Sequence, residues 1–136
     1  MRKTNYGLFV RSNQPFAQAL EATKQALKAE GFGVLTDIDV KATMQQKLGV
    51  DFRRYEILGA CNPPLAHEAL EAEIDIGLLL PCNVVVYEDQ DGSCTIGALD
   101  PQSMMSVTGN QRLAHVADEA RSRLERVLIS LETDGQ

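Results

Sequence analysis

The chain has 136 residues, 44% hydrophobic and 24% charged, with 13 basic and 19 acidic residues for a net charge of −6. That length fits one domain, expected to span residues 1–136, and it buries enough surface to form a core without disulfides or metal. The acidic balance lacks the basic footprint of a nucleic-acid binder, and no apolar run approaches the ~20 residues of a membrane span, so neither partner is expected.

Tyr6–Val10 reads as a first strand, short and rich in β-forming residues. Ser12 and Pro15 open a helix in which Phe16, Ala19, Leu20, Thr23, Ala26 and Leu27 recur at helical spacing, and Gly31 stops it. Phe32, Val34, Thr36, Ile38 and Val40 then alternate with wetter residues, which predicts a strand with one packed face. Val40–Leu48 reads as a short helix with Asp39 as its cap and Gly49 as its stop. Tyr55–Ala60 is the third strand. Asn62-Pro63-Pro64 opens a third helix that turns Leu65, Ala66, Ala69 and Leu70 inward.

The continuously apolar stretch Ile76–Pro81 predicts a buried turn or connector. Asn83–Glu88, the turn Asp89–Ser93 and Cys94–Leu99 predict a hairpin of the fourth and fifth strands. Asp100-Pro101 breaks the last strand, and residues 102–109 are expected to be a linker. A long final helix follows on the stripe Leu113, Val116, Ala117, Ala120, Leu124, Val127, Leu128 and Leu131. The polar tail Thr133–Gln136 is expected to be unstructured. The order of elements points to an α+β fold in two layers, a mostly antiparallel sheet of about five strands packed by helices, the last of them long. A wholly parallel doubly wound sheet is the competing arrangement.

Three cysteines, an odd number, argue against a disulfide framework and fit a reducing compartment. The apolar stretch behind Met1 stops at Val10, too short for a secretory signal, so a cytoplasmic address is expected. The most informative stretch is Leu58-Gly59-Ala60-Cys61-Asn62-Pro63-Pro64, where a strand ends, a helix begins and a thiol stands at the join. A helix start offers unpaired N–H groups and partial positive charge, suited to a thiolate or a small anion. Against this stands the bland reading, in which Cys61 is a small buried hydrophobe and Asn62 simply a cap.

Cys82-Asn83 repeats the Cys-Asn pair, also beside a proline. Antiparallel third and fourth strands would bring the two thiols to one sheet edge; parallel strands would separate them. Cys61, Asn62, Cys82 and Asn83 are the candidate ligand-binding residues. His67 points away from the apolar face of its helix, and Glu71 four residues on explains it as a solvated pair. Cys61, Cys82 and His67 supply at most three of the four ligands that zinc wants, so no metal is expected. His115 reads as solvated and Cys94 as core or sheet face. Asp37, Asp39 and Asp51 stand near element ends, unlike the other carboxylates on helix faces. No glycine-rich phosphate loop, GxSxG elbow or HExxH helix occurs, and no cofactor is expected.

The stretches Gly31–Val40, Lys47–Asp51, Ile57–Pro63 and Gly77–Val86 resemble the domain-of-unknown-function family 302, and the similarity runs from the first strand to Asp100-Pro101. The resemblance implies a small α+β domain of bacteria and archaea and a homodimer; it brings no catalytic residues to carry over. Two functions follow. In one, Cys61, Asn62 and Cys82 bind a small anion or sulfur-containing ligand at the helix terminus. In the other, the chain is a non-catalytic homodimeric assembly module, with the last helix and Met104-Met105 as the candidate face. No nucleophile–base pair can be placed, so hydrolytic and phosphoryl-transfer enzymes rank below both.

Overall fold

The computed structural model describes residues 1–133. Among them six strands form one open sheet: β1 (Arg2–Lys3), β2 (Gly7–Ser12), β3 (Gly33–Asp39), β4 (Tyr55–Cys61), β5 (Cys82–Glu88) and β6 (Cys94–Leu99). The spatial order is β1-β2-β6-β5-β4-β3. Every neighbouring pair is antiparallel, as the α+β reading requires. The expected five strands are all present; the sixth is the two-residue β1, too short to leave a periodic signal.

Helix α1 (Phe16–Ala29) crosses from β2 at one side of the sheet to β3 at the far edge. With α5 (Ala114–Leu131) it covers the inner face of the sheet. Inward positions run across the strands in rows, Leu8–Ala98–Val84–Leu58 and Val10–Ile96–Val86. They meet Phe16, Ala19 and Leu27 of α1 and Leu124, Val127 and Leu128 of α5 in one buried cluster. A second cluster joins Leu65 and Ala69 of α3 (Pro63–Ala72), Ile76 of the 3₁₀ segment Ile74–Leu79, and Met104 of α4 (Ser103–Thr108). Val116, Ala117 and Ala120 of α5 complete it.

Local signals fixed the element ends. Asp39 Oδ1 accepts from Ala42 N–H at 2.9 Å and caps α2 (Val40–Leu48), and Gly49 ends it at φ +64°, the left-handed region that favours glycine. The β5–β6 hairpin turns through Gly92 at φ +88°. The stretch expected as a linker holds α4, and the expected buried connector is a 3₁₀ segment that buries Ile76 but exposes Ile74 and Leu78.

Two expectations need correction. The alternation read over 32–40 does not give one packed face, because a bulge interrupts the β3–β4 register between Val34 and Thr36. Val34 pairs with Ala60 on the inner side, whereas Thr36 and Ile38 pair with Gly59 and Ile57 on the outer side. The side of α2 along which helical spacing sets Val40, Met44 and Leu48, an expected packing stripe, meets no core either: the helix has no buried residue, and Leu48 stays exposed. Of the expected polar tail, residues 134–136 lie outside the described residues. Thr133 is held in place: its N–H donates to Arg11 O at 2.9 Å, and its hydroxyl accepts from Asn13 N–H at 3.1 Å.

Candidate functional site

The antiparallel pairing of β4 with β5 sets Ala60 opposite Cys82, with Cys61 the next residue along. Ladder geometry then puts the Cα atoms of Cys61 and Cys82 roughly 6 Å apart. Cys61 is half-buried and Cys82 buried. Burial pushes the Cys82 thiol up to about 11, and the nearby Cys61 adds to the effect.

Asn62 caps α3 as its position predicts: Oδ1 accepts from Leu65 N–H at 3.2 Å, with the side chain buried. That arrangement also changes the chemistry expected there. Pro63 and Pro64 have no N–H, Leu65 N–H is taken by Asn62, and Ala66 N–H donates to Asn62 O at 2.9 Å. None of the first four residues of α3 has a backbone donor left for an anion. The helix end that looked like an anion cradle is closed.

Beside the two thiols lies a cavity of about 290 Å³. Leu65, Ala66, Ala69 and Leu70 of α3 form one wall, Val116 and Ala120 of α5 another, and Ala60, Cys61 and Cys82 the sheet end. Met104 adds its thioether side chain. The gap exists because small residues, Ala66, Ala69 and Ala120, occupy wall positions where larger chains would fill it. No charged residue lines the cavity, and its one polar side chain is Asn62. An engineered apolar cavity of about 150 Å³ holds benzene, so this volume suits a small apolar molecule.

The other sequence candidates lie elsewhere. Asn83 pairs with Gly59 and faces the outer side of the sheet, in a groove with Tyr6, Phe9, Tyr55 and Tyr87. Alternation along β5 forces this, since neighbours in a strand point to opposite faces. His67 is exposed, with Nε2 3.2 Å from Glu71 Oε1, the solvated pair its spacing predicted. His115 pairs with Glu68 at 2.8 Å, and that carboxylate raises its pKa. Cys94 sits in the main core, where burial pushes its thiol to about 11. Among the described residues no three His, Cys, Asp or Glu side chains gather to hold a metal ion. Sequence reasoning missed Met104 and the wall of α5; the inward stripes were visible, but nothing local says that two stripes pack with a cavity left beside their contact.

A second polar cluster stands where the inner face reaches the exposed edge strand. Glu56 hydrogen-bonds Asp37, and Lys24 Nζ of α1 lies 3.0 Å from Asp37 Oδ2. Burial, then Asp37, raises the Glu56 pKa from 4.5 to about 7. For Asp37 burial pushes upward, but hydrogen bonds from Glu56 and Lys24 outweigh it and the pKa falls. Glu56 keeps its proton in the folded chain at pH values where the unfolded chain has lost it. Its stabilising contribution is complete below 4.5 and disappears as pH rises through about 7. After solvent screening this amounts to about 1 kcal/mol. Urea unfolding at pH 5 and pH 8 should show that loss in the native chain and a smaller one in Glu56→Gln; equal losses would show that the pair does not share a proton.

Residues 8–131 match the family described as Domain of unknown function DUF302. The chain belongs to this family. A DUF302 crystal structure, described as an uncharacterized conserved protein from Bacillus stearothermophilus, shares 30% sequence identity with it. The two superpose with a TM-score of 0.87 over 95% of this chain and 100% of the other. No curated protein matches the chain. The DUF302 match covers β2 through α5 and so both walls of the cavity, and the resemblance read from the two Cys-Asn segments holds. No helix among the described residues is long and apolar enough to cross a membrane.

Proposed function

We propose that this DUF302 protein binds a small, uncharged, largely apolar molecule in the cavity beneath α3, with its reactive or sulfur-bearing end at Cys61 and Cys82. One observation carries the reading: a cavity of about 290 Å³ without a charged lining residue, bounded on one side by two neighbouring cysteines. Apolar walls reward burial of a ligand by about 25 cal/mol per Å² removed from water, whereas a bare anion there would lose its hydration with no cationic partner in return. The ligand expected from sequence as a small anion or a sulfur species thus narrows to its sulfur-bearing, uncharged half.

Indole is a suitable probe in thermal unfolding. At a hundredfold excess over Kd it should stabilise the native chain by about 2.7 kcal/mol and slow alkylation of Cys61 by a neutral maleimide. Ala66→Phe places a ring against the same space and should weaken indole binding by about tenfold or more, with helix content unchanged. Unaltered affinity in the variant, or no stabilisation of the native chain, would remove this reading.

A second reading rests on a different surface. The outer row Phe9–Gly97–Val85–Ile57–Ile38 crosses the sheet and lies outside both buried clusters. Phe9 lies flat over Gly97, and Tyr55 stacks on Tyr87 with ring centroids 5.2 Å apart. A second copy packed sheet to sheet on this face would make the homodimer that the family resemblance implies. The face expected from sequence is already occupied: Met104 is buried, and the α5 stripe Val116, Ala117, Ala120, Leu124, Val127 and Leu128 is spent inside the molecule.

A further inference from the structure

All three tyrosines of the chain, Tyr6, Tyr55 and Tyr87, line one groove of about 380 Å³ on the outer face of the sheet. Phe9 lines it too, and its ring lies flat because Gly7 and Gly97 have no Cβ to meet it. Charge is sorted between the two faces. The strand register turns Asp37, Asp39, Glu56 and Glu88 to the inner side, whereas the charged strand residues on the outer side are Arg2 and Arg11. The net charge of −6 does not describe this surface.

An adjoining hollow of about 510 Å³ shares Arg2 and Tyr87 with the groove and adds Arg11 and Arg53. Its carboxylates are already engaged: Asp89 accepts from Thr95, and Asp91 accepts from Ser93 and Arg11. Arg2 and Arg53 have no carboxylate partner among the described residues. Each is held over a ring instead, Arg2 at 4.2 Å from the centroid of Phe9 and Arg53 at 5.7 Å from that of Tyr87.

We propose that the outer face binds a flat aromatic anion, with its rings in the groove against Phe9, Tyr55 and Tyr87 and its anionic group held by Arg2 and Arg53. Ring faces attract a flat π system, and guanidinium forks match a carboxylate or a phosphate. The hollow is open to solvent, so the anion keeps part of its hydration there, unlike one in the cavity beneath α3. An aromatic carboxylate and a nucleoside phosphate share this chemistry. The groove stands on other residues than that cavity and does not depend on it. A second copy packed on this face would cover the groove, so ligand and dimer would compete.

The test is a calorimetric titration of the full chain with 2-naphthoate, with the tyrosine ring signals followed by NMR and the particle mass by light scattering. The Tyr55 and Tyr87 signals should shift as the probe binds. The uncharged analogue 2-naphthylmethanol should bind at least about tenfold more weakly. Arg2→Gln and Arg53→Gln should each lower naphthoate affinity by about five- to tenfold, and Tyr87→Leu by about tenfold. Arg112→Gln removes the same charge beside α3, away from this face, and should leave the affinity unchanged. Circular dichroism should stay native in each variant. Adenosine monophosphate in place of naphthoate separates the two sources, the tighter binder naming the class. Equal affinity for naphthoate and naphthylmethanol, or undiminished affinity in both arginine variants, overturns the proposal. Uptake that leaves the tyrosine signals unmoved, or a chain that takes up neither anion, overturns it as well.

Discussion

Replacing Leu128 with alanine should lower the unfolding free energy by about 2–5 kcal/mol, whereas Ile129→Ala, one residue along the same helix, should change it by less than about 0.5 kcal/mol. Leu128 is 0% exposed and packs in the cluster that joins α5 to α1 and the sheet; Ile129 is 58% exposed. Truncating Leu128 removes apolar area from burial and leaves a void that the strands and α1 cannot close without moving together. A domain is stable by only about 5–15 kcal/mol, so this one truncation consumes much of the margin. Urea midpoints with an unchanged m-value would report it cleanly. A comparably large loss for Ile129→Ala would contradict the description of that side chain as solvated and point to a partner on α5.

Val85→Asp should halve the mass of the particle in light scattering. Val85 is the centre of the outer row, flanked by Gly97 of β6 and Ile57 of β4. A two-fold contact on this face brings equivalent residues of both copies into the same apolar layer. An aspartate there loses hydration without gaining a partner, and like charges meet across the axis. The substitution leaves the inner core untouched because neighbouring strand positions point to opposite faces, so circular dichroism should remain native. A native chain that is monomeric at every concentration would dispose of the assembly reading. A Val85→Asp dimer as stable as the native one would place the contact elsewhere, with the exposed β3–α2 arm, carrying Leu35, Leu48 and Val50, the next surface to examine.

Features that depend on three to five consecutive residues were legible. Asn62 before two prolines marks the start of α3, Asp39 caps α2, and the β5–β6 hairpin follows from its turn residues. The inward face of α3 was equally plain, since Leu65 and Ala69 are buried at helical spacing. The same local reading misjudged chemistry at the Cys61 join. Pro63 and Pro64 mark a helix start, but they also remove two of the donors that would have greeted an anion. That fact is in the sequence; its weight appears only once Leu65 N–H is seen bonded to Asn62.

By itself the sequence determined the five longer strands, helices α1, α2, α3 and α5, the caps of α2 and α3, the α+β class and the family, because backbone propensity, apolar period and turn chemistry act over short range. Tertiary structure alone decided that β4 and β5 run antiparallel, which brings Cys61 next to Cys82, and that a bulge turns Thr36 and Ile38 outward. It also decided that α3 and α5 pack against each other while leaving a cavity beside their contact. These outcomes depend on which distant segments pair and how their side chains fill shared space, a property of the packed whole that no stretch of chain encodes separately.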